Sequence, residues 1–227
     1  MLIICMYRTF CFLDDASCLE KDSRSSKGPL IVIKEILINK EGNSMEVDDE
    51  EEDSAVCEYG VTIIDAITAS VTLGQFADDV LRSRMQTLLA SFSPSEVIIE
   101  GGENGASKTL QSLLKTACPT TLLQTIGQKE SFPNSTAVEQ KDRQFLERTN
   151  KEIHPWSSEE AIKEVHRKGY YPRAGKENED IGRWPEVLRA CIEGGAELCL
   201  SSYGAALFYL QSSLIDAEIL SMGIVST

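Results

Sequence analysis

The sequence predicts an α/β fold: a mixed sheet flanked by helices, with a helical C-terminal half. Three observations predict it. First, Tyr59 to Asp65 alternates in strand fashion, with Val61, Ile63 and Asp65 on one face and Thr62 and Ile64 on the other, and Val71 to Phe76 supplies the return strand. Second, Glu96 to Glu100 (EVIIE) is short, apolar at its centre and β-branched, as a buried parallel strand is. Third, helical spacing separates these strands, giving the order β-β-α-β-α-β. That order requires crossover connections, which are right-handed by rule.

Each element has its own signal. Leu30 to Ile38 (LIVIKEILI) is a β-rich run ending at the turn signal Asn39-Lys40-Glu41-Gly42. The main domain starts near Val56. Asp78 is placed to cap a helix whose apolar residues Leu81, Met85, Leu88 and Phe92 form one stripe, and Pro94 stops it. A glycine-rich turn leads into a helix from Ser107 to Ala117 with Leu110, Leu113 and Leu114 inward. Cys118-Pro119 ends that helix, and Thr121 to Ile126 reads as another strand. In the second half, Gln140 to Asn150 is a helix candidate, and Ser157 to Arg167 opens with a Ser157–Glu160 capping box. Gly169 to Gly182 is polar and reads as a surface loop. Pro185 lies in the first turn of a helix that Gly194-Gly195 ends. Leu198 to Leu220 reads as one long apolar helix whose small residues, Ser201 to Ala206, permit close packing on the sheet. There is no internal repeat.

Composition narrows the function classes. The 227 residues suit one ordinary domain plus extra segments, and 42% hydrophobic with 7% aromatic residues is normal for a globular chain. Half of the net charge of -14 sits in Glu46 to Asp53 (EVDDEEED), seven acids in eight residues, which reads as a solvated linker. An acidic chain gains nothing from counterion release, so it is expected to bind nucleic acid poorly by itself. The richest basic stretch, Lys163 to Lys176, surrounds Tyr170 and Tyr171. It could place phosphate contacts beside base-stacking tyrosines, but Glu164, Glu177 and Glu179 dilute it towards an exposed helix end.

Seven cysteines (Cys5, Cys11, Cys18, Cys57, Cys118, Cys191 and Cys199) include no CxxC, which suggests buried thiols in a reducing compartment. His154 and His166 have no cysteine at ligand spacing, so no metal site is expected on them. The opening LIICMYRTFCFL is interrupted by Arg8 and is too short to span a bilayer, which takes about 20 apolar residues. It also lacks the features of a signal peptide.

Several motifs carry possible chemistry. Gly102 to Thr109 (GENGASKT) nearly fits a P-loop in the required strand-to-helix context. Ser107 stands where the glycine before the lysine belongs, and its Cβ restricts the backbone that must wrap phosphates. A strand-to-helix turn capped by Ser107 is the simpler reading. Phe145-Leu146-Glu147 imitates a base-inserting Phe-x-Glu wedge, yet lies in a helical, charge-rich stretch rather than at an exposed tip. Asp65, Glu100 and Asp216 are the possible nuclease set: RNase H-like enzymes use an acid on the first strand and others nearby to hold two metals. Against it, Asp216 sits in a helix as a surface charge, and an isolated acid at a strand end is usually a turn former. No Gly-x-Ser-x-Gly elbow and no cysteine–histidine nucleophile pair occurs. From the residues alone, an RNase H-like metal nuclease using Asp65 and Glu100 stays open beside a non-catalytic domain.

YGVTIIDAITASVTLGQFADD, SFSPSEVIIE and LSSYGAALFYLQSSLIDAEIL resemble, in that order, the connector domain of MutS-family mismatch-repair proteins, most of all the eukaryotic homologue-six branch. The matching positions are Tyr59-Gly60-Val61, Asp65, Gly74-Gln75-Phe76, Asp78-Asp79 and the small-residue helix from Ser202 to Leu220. The resemblance covers about residues 30 to 225 and is loosest from Lys129 to Asp180.

It implies an RNase H-like α/β connector without nuclease activity or catalytic, cofactor or metal residues of its own. The resemblance divides the chain into four parts. Residues 1–28 are unassigned, reading as disorder or a gene-model edge. Residues 29–45 resemble the end of a preceding mismatch-binding domain. Residues 46–55 form the acidic linker, and 56–227 the connector. It further implies a fragment that links mismatch recognition to lever and ATPase domains, with ATP and Mg belonging to full-length relatives. The partners implied are other MutS-family domains or a MutS homologue two subunit, and a MutL-type protein. DNA would be reached only through the full-length protein, in the nucleus, with no membrane association.

Overall fold

The computed structural model describes residues 28–38, 56–102, 105–127, 155–171, 184–221 and 224–226. The strands are β1 (Leu30–Ile38), β2 (Val56–Asp65), β3 (Ser70–Asp78), β4 (Glu96–Gly101), β5 (Leu122–Gly127) and β6 (Ile224–Ser226). The helices are α1 (Ser83–Phe92), α2 (Lys108–Ala117), α3 (Ser158–Lys168), α4 (Glu186–Glu193), α5 (Glu197–Ser212) and α6 (Asp216–Leu220).

All six strands form one mixed sheet in the order β5-β4-β1-β2-β3-β6. β1, β2 and β3 make an antiparallel meander, while β4 runs parallel to β1 and β5 parallel to β4. A meander followed by two parallel strands reached over helices is the RNase H-like arrangement that the sequence predicts. β1 and β4 each carry a run of consecutive apolar residues covered on both faces: Ile31, Val32 and Ile33 of β1 and Val97, Ile98 and Ile99 of β4 are all buried.

One boundary needs correction. Leu30–Ile38, assigned from sequence to the end of a preceding mismatch-binding domain (29–45), is the central strand of this sheet, bonded to β2 on one side and β4 on the other. Ile38 pairs directly with Val56, so residues 39–55 connect two partnered strands of one hairpin. The acidic block lies in that connection, outside the described residues, as do residues 1–27, the helix candidate Gln140 to Asn150 and the Phe145-Leu146-Glu147 motif.

Two cores lie on opposite faces of the sheet. On one, Ile31, Ile33, Tyr59, Val61, Ile63 and Val97 pack against Met85, Leu88 and Leu89 of α1 and Leu110 and Leu114 of α2. On the other, Val32, Ile64, Val71, Leu73 and Ile98 pack against α5, with α3 and α4 outside it. α5 is apolar all round because it is buried all round, with Leu198 to Leu207 inaccessible throughout.

Helix ends follow the predicted chemistry. Ser107 Oγ accepts from the Leu110 N–H at the start of α2, and Ser157 Oγ accepts from the Glu160 N–H at the start of α3. Asp78 serves α1 from a distance. Arg82 occupies the position before the helix, and the buried Asp78 carboxylate accepts from the N–H groups of Arg84 at 3.1 Å and Met85 at 2.9 Å. Leu81, expected on the buried stripe of α1, lies in the turn before it and is exposed. The long helix expected from Leu198 to Leu220 is two helices. Leu214 adopts φ 59, and the Ile215 N–H reaches back to the Leu210 carbonyl at 3.1 Å while Leu214 N–H bonds Gln211, a Schellman-type stop at a non-glycine residue. β6 was not expected; three residues pairing with Ser70–Thr72 are too few to show a period.

Candidate functional site

The possible nuclease acids do not meet. Asp65 ends β2 on the face of α1 and α2, sharing it with Val61 and Ile63. Glu100 ends β4 on the face of α5, beyond Ile98. The two also stand at opposite ends of the sheet: Ile64 pairs with Leu30 at the start of β1, whereas Ile99 pairs with Ile33 further along it. That separation is on the order of 16 Å along the strands alone, against about 4 Å for a two-metal site. Asp65 is instead a turn former, its Oδ1 accepting the Ile67 N–H at 2.9 Å across a bend that Ala69 completes with φ 52. Asp216, at the start of α6, accepts the Tyr170 hydroxyl at 2.6 Å. Among the described residues, no group of three histidine, cysteine or acidic side chains is placed to hold a metal.

Glu100 has an internal cation. The Lys34 ammonium of β1, nearly buried itself, forms an ion pair with the Glu100 carboxylate and lies 5.8 Å from the Trp156 ring centroid. Trp156 is fixed in turn by its indole N–H to the Ile126 carbonyl at 3.0 Å. Thus the middle of β1 and the end of β4 set an ammonium against a carboxylate, where a metal site would need two acids.

The P-loop candidate is filled from within. Oε2 of the buried Glu35 on β1 accepts the Ser107 N–H at 2.8 Å, at the N-terminus of α2 where a phosphate would bind. Oε1 of Glu35 accepts the Tyr59 hydroxyl at 2.9 Å, and the buried Arg82 guanidinium lies 3.6 Å away. The loop's own donors are also in use: Gly105 N–H bonds the Gly102 carbonyl and Ala106 N–H the Glu100 carbonyl. Burial together with the Glu35 charge pushes the Tyr59 hydroxyl pKa far up, so it stays a donor.

The basic stretch is equally committed over its described part. Tyr170 and Tyr171 are buried, the latter sharing a 2.9 Å hydrogen bond with the Tyr203 hydroxyl, so neither presents a face to a base. Arg167 pairs with the buried Glu164, and Lys163 with Glu160 at 2.7 Å. His166 packs against the Trp184 ring at 4.5 Å between centroids, while His154 lies outside the described residues.

What the sequence's distinctive residues do build is a joint between the sheet and α5. Gly60 lies under the start of α5, where a Cβ would fall 2.0 Å from the Leu198 carbonyl oxygen. Gln75 bridges, its Oε1 accepting the Cys199 N–H at 3.2 Å and its Nε2 donating to Glu58 at 3.0 Å. Thr62 and Ser202 share a hydroxyl hydrogen bond of 2.9 Å in the buried centre. On the far side of α5, a Cβ at Gly204 would lie 2.4 Å from the Pro155 carbonyl oxygen and 3.0 Å from Ala161, so α3 packs there only against glycine.

Residues 47–166, more than half the chain, match the family MutS domain II. DNA mismatch repair protein Msh6 of Homo sapiens is 29% identical over 187 residues, covering 77% of this chain and 12% of that protein. Msh6 of Gallus gallus is 25% identical over 189 residues (78% and 12%), and MSH6 of Saccharomyces cerevisiae 24% over 165 residues (72% and 11%). The chain therefore spans about 12% of the length of the curated relatives it matches. Among solved structures, the Fowlpox virus resolvase with its substrate Holliday junction DNA matches at 12% identity and a TM-score of 0.28, covering 83% of this chain and 98% of that one. The family match leaves out β1 and α5, the strand at the sheet's centre and the helix across it. By its match over residues 47–166, the chain belongs to the MutS domain II family, as a connector domain.

Proposed function

We propose that this chain is a non-catalytic connector module of a MutS-like DNA mismatch repair protein, coupling mismatch recognition to lever and ATPase parts through interdomain geometry and protein contacts. One observation carries the reading. Gly60, Gln75, Ser202 and Gly204, drawn from separate segments of the family pattern, converge on a single packed joint rather than on a pocket for substrate. Rigid transmission between domains needs such a joint; phosphodiester cleavage does not.

On this reading the partners are other MutS-family domains or a MutS homologue two subunit, together with a MutL-type protein. Mismatched DNA and ATP with Mg belong to the complete protein, acting in the nucleus. The net charge of -14 fits a role in which these residues do not hold DNA themselves.

The test has two parts. Purified chain is incubated with DNA and RNA, single- and double-stranded, in Mg or Mn, and is separately offered to a MutL-type protein in a pull-down. No metal-dependent cleavage and retention of the MutL-type protein are expected. Cleavage abolished by Asp65→Asn would overturn the proposal.

A further inference from the structure

Beyond the packed joint, the described helical half holds one pair of nucleophilic groups with unused chemistry. Cys191 in α4 and Cys199 in the first turn of α5 face each other with sulfurs 3.8 Å apart. The other described cysteines, Cys57 and Cys118, belong to the α1–α2 side of the sheet, so neither competes for this contact. We infer that Cys191 and Cys199 form an oxidation site, a dithiol that hydrogen peroxide converts to an intramolecular disulfide tying α4 to α5.

A disulfide needs the sulfurs at about 2.05 Å. The remaining approach is under about 2 Å, and the Gly194-Gly195 turn between the helices can absorb it, with Gly195 in a left-handed conformation at φ 66. Accessibility assigns the roles. Cys191 is half-buried and can meet peroxide, whereas Cys199 is 1% exposed and can meet only Cys191. The hydrogen bond from Cys199 lowers the Cys191 thiol and makes it the better nucleophile, while that same bond and burial push Cys199 up.

The steps balance. The Cys191 thiolate attacks one peroxide oxygen, the O–O bond breaks, and hydroxide leaves to take up the proton that Cys191 lost, giving water and a sulfenic acid. The Cys199 sulfur then attacks the Cys191 sulfur, the S–O bond breaks, and the hydroxyl departs as a second water with the Cys199 proton. Two thiols lose two electrons in all, and one peroxide gains them.

The position gives the modification a consequence. Cys199 N–H is the group held by Gln75, and the preceding carbonyl, of Leu198, is the group packed on Gly60. Oxidation therefore fastens α4 to a point where the helical half is registered on the sheet.

The test treats the purified full chain with hydrogen peroxide, quenches in acid, unfolds it and alkylates free thiols. After Arg189 the chain has no lysine or arginine, so one tryptic peptide carries both cysteines. Expected is a peptide lighter by two hydrogens, loss of alkylation at Cys191 and Cys199 together, and recovery with dithiothreitol. In Cys191→Ser, Cys199 should stay alkylatable; in Cys199→Ser, Cys191 should stop at a dimedone-reactive sulfenic acid. Any of three outcomes overturns the inference: both thiols still free after peroxide, Cys191 oxidised to sulfinic acid beside a free Cys199, or either cysteine joined to a different one.

Discussion

Glu35 and Ser107 join the central strand to the start of α2: the Ser107 N–H donates to the Glu35 carboxylate at 2.8 Å, in a position buried from solvent. A helix N-terminus with free N–H groups attracts anions, and here the protein supplies its own. The near-match to a P-loop in GENGASKT thus ends in a structural carboxylate. MgATP at millimolar concentration should leave the melting temperature of the chain unchanged. A ligand at a hundred times its Kd would add about 2.7 kcal/mol of stability, readily seen by differential scanning fluorimetry, and a shift of that kind would show that Glu35 does not close the site.

The same carboxylate also carries a stability prediction. Glu35 serves Ser107, Tyr59 and Arg82 at once, all of them buried or nearly so. Glu35→Ala strips buried partners from two hydrogen-bond donors and a charge from beside Arg82, and should cost about 3–5 kcal/mol in urea denaturation. Glu35→Gln keeps the shape and an acceptor and should cost about half as much or less. Equal losses in the two variants would mean that the charge of Glu35, and not its shape or its remaining acceptor, holds this cluster.

Lys34 and Glu100 allow a sharper comparison. Lys34→Ala should destabilise by about 3–5 kcal/mol, because the buried Glu100 carboxylate loses the Lys34 ammonium. The double variant Lys34→Met with Glu100→Gln removes both charges and should recover most of that loss, since a buried ion pair often contributes little net stability. Chemical denaturation of the wild type, Lys34→Met, Glu100→Gln and the double closes the cycle. A double variant as damaged as Lys34→Ala would mean that packing around Trp156, not charge, is what Lys34 provides.

Lys34 and Glu35 also show why the sheet's centre was hard to read in the sequence. Two adjacent charges within VIKEILI resemble a half-exposed segment, whereas one is neutralised across to β4 and the other caps α2. Both partners lie more than sixty residues away, beyond the reach of local pattern. What depended on neighbours in sequence was legible: the Ser107 and Ser157 caps, the Pro94 and Gly194-Gly195 stops, and the alternation in β2. What depended on strand pairing was not. Alternation places Asp65 at a strand end, but only the register shows it at the end of the sheet opposite Glu100. The break at Leu214 was illegible for another reason, because a left-handed leucine follows no residue preference.

Burial also sets a pH limit. Burial is the largest cause pushing the Cys57 thiol up to about 11 from its ordinary 9.0. A group whose folded pKa is raised contributes fully below the unfolded pKa and loses that contribution as pH climbs through the folded one. Stability should therefore hold up to about pH 9 and fall between about 9 and 11, where the unfolded chain releases a proton that the folded chain retains. In Cys57→Ala the slope of unfolding free energy against pH in that window should be shallower. An unchanged slope would assign the alkaline loss to other groups, such as Tyr209, which is raised to about 12.

Gly60 and Gly74, both in the first family segment, give the cleanest test of the joint between the sheet and α5. A Cβ at Gly60 would fall 2.0 Å from the Leu198 carbonyl oxygen, and both atoms belong to backbone held by β-pairing and a buried helix. Neither side can yield by rotating a side chain. Gly74 lies in the next strand, and a Cβ there meets nothing within 4 Å. Gly60→Ala should cost at least about 2 kcal/mol by overpacking, whereas Gly74→Ala should be neutral or slightly stabilising, because alanine loses less backbone freedom on folding. If Gly60→Ala pushes α5 off the sheet, amide exchange at Cys199 should also speed up, as its bond to Gln75 is lost. Matching stabilities for the two variants would mean that α5 does not rest on Gly60, and that the signature glycine has a purpose other than close packing.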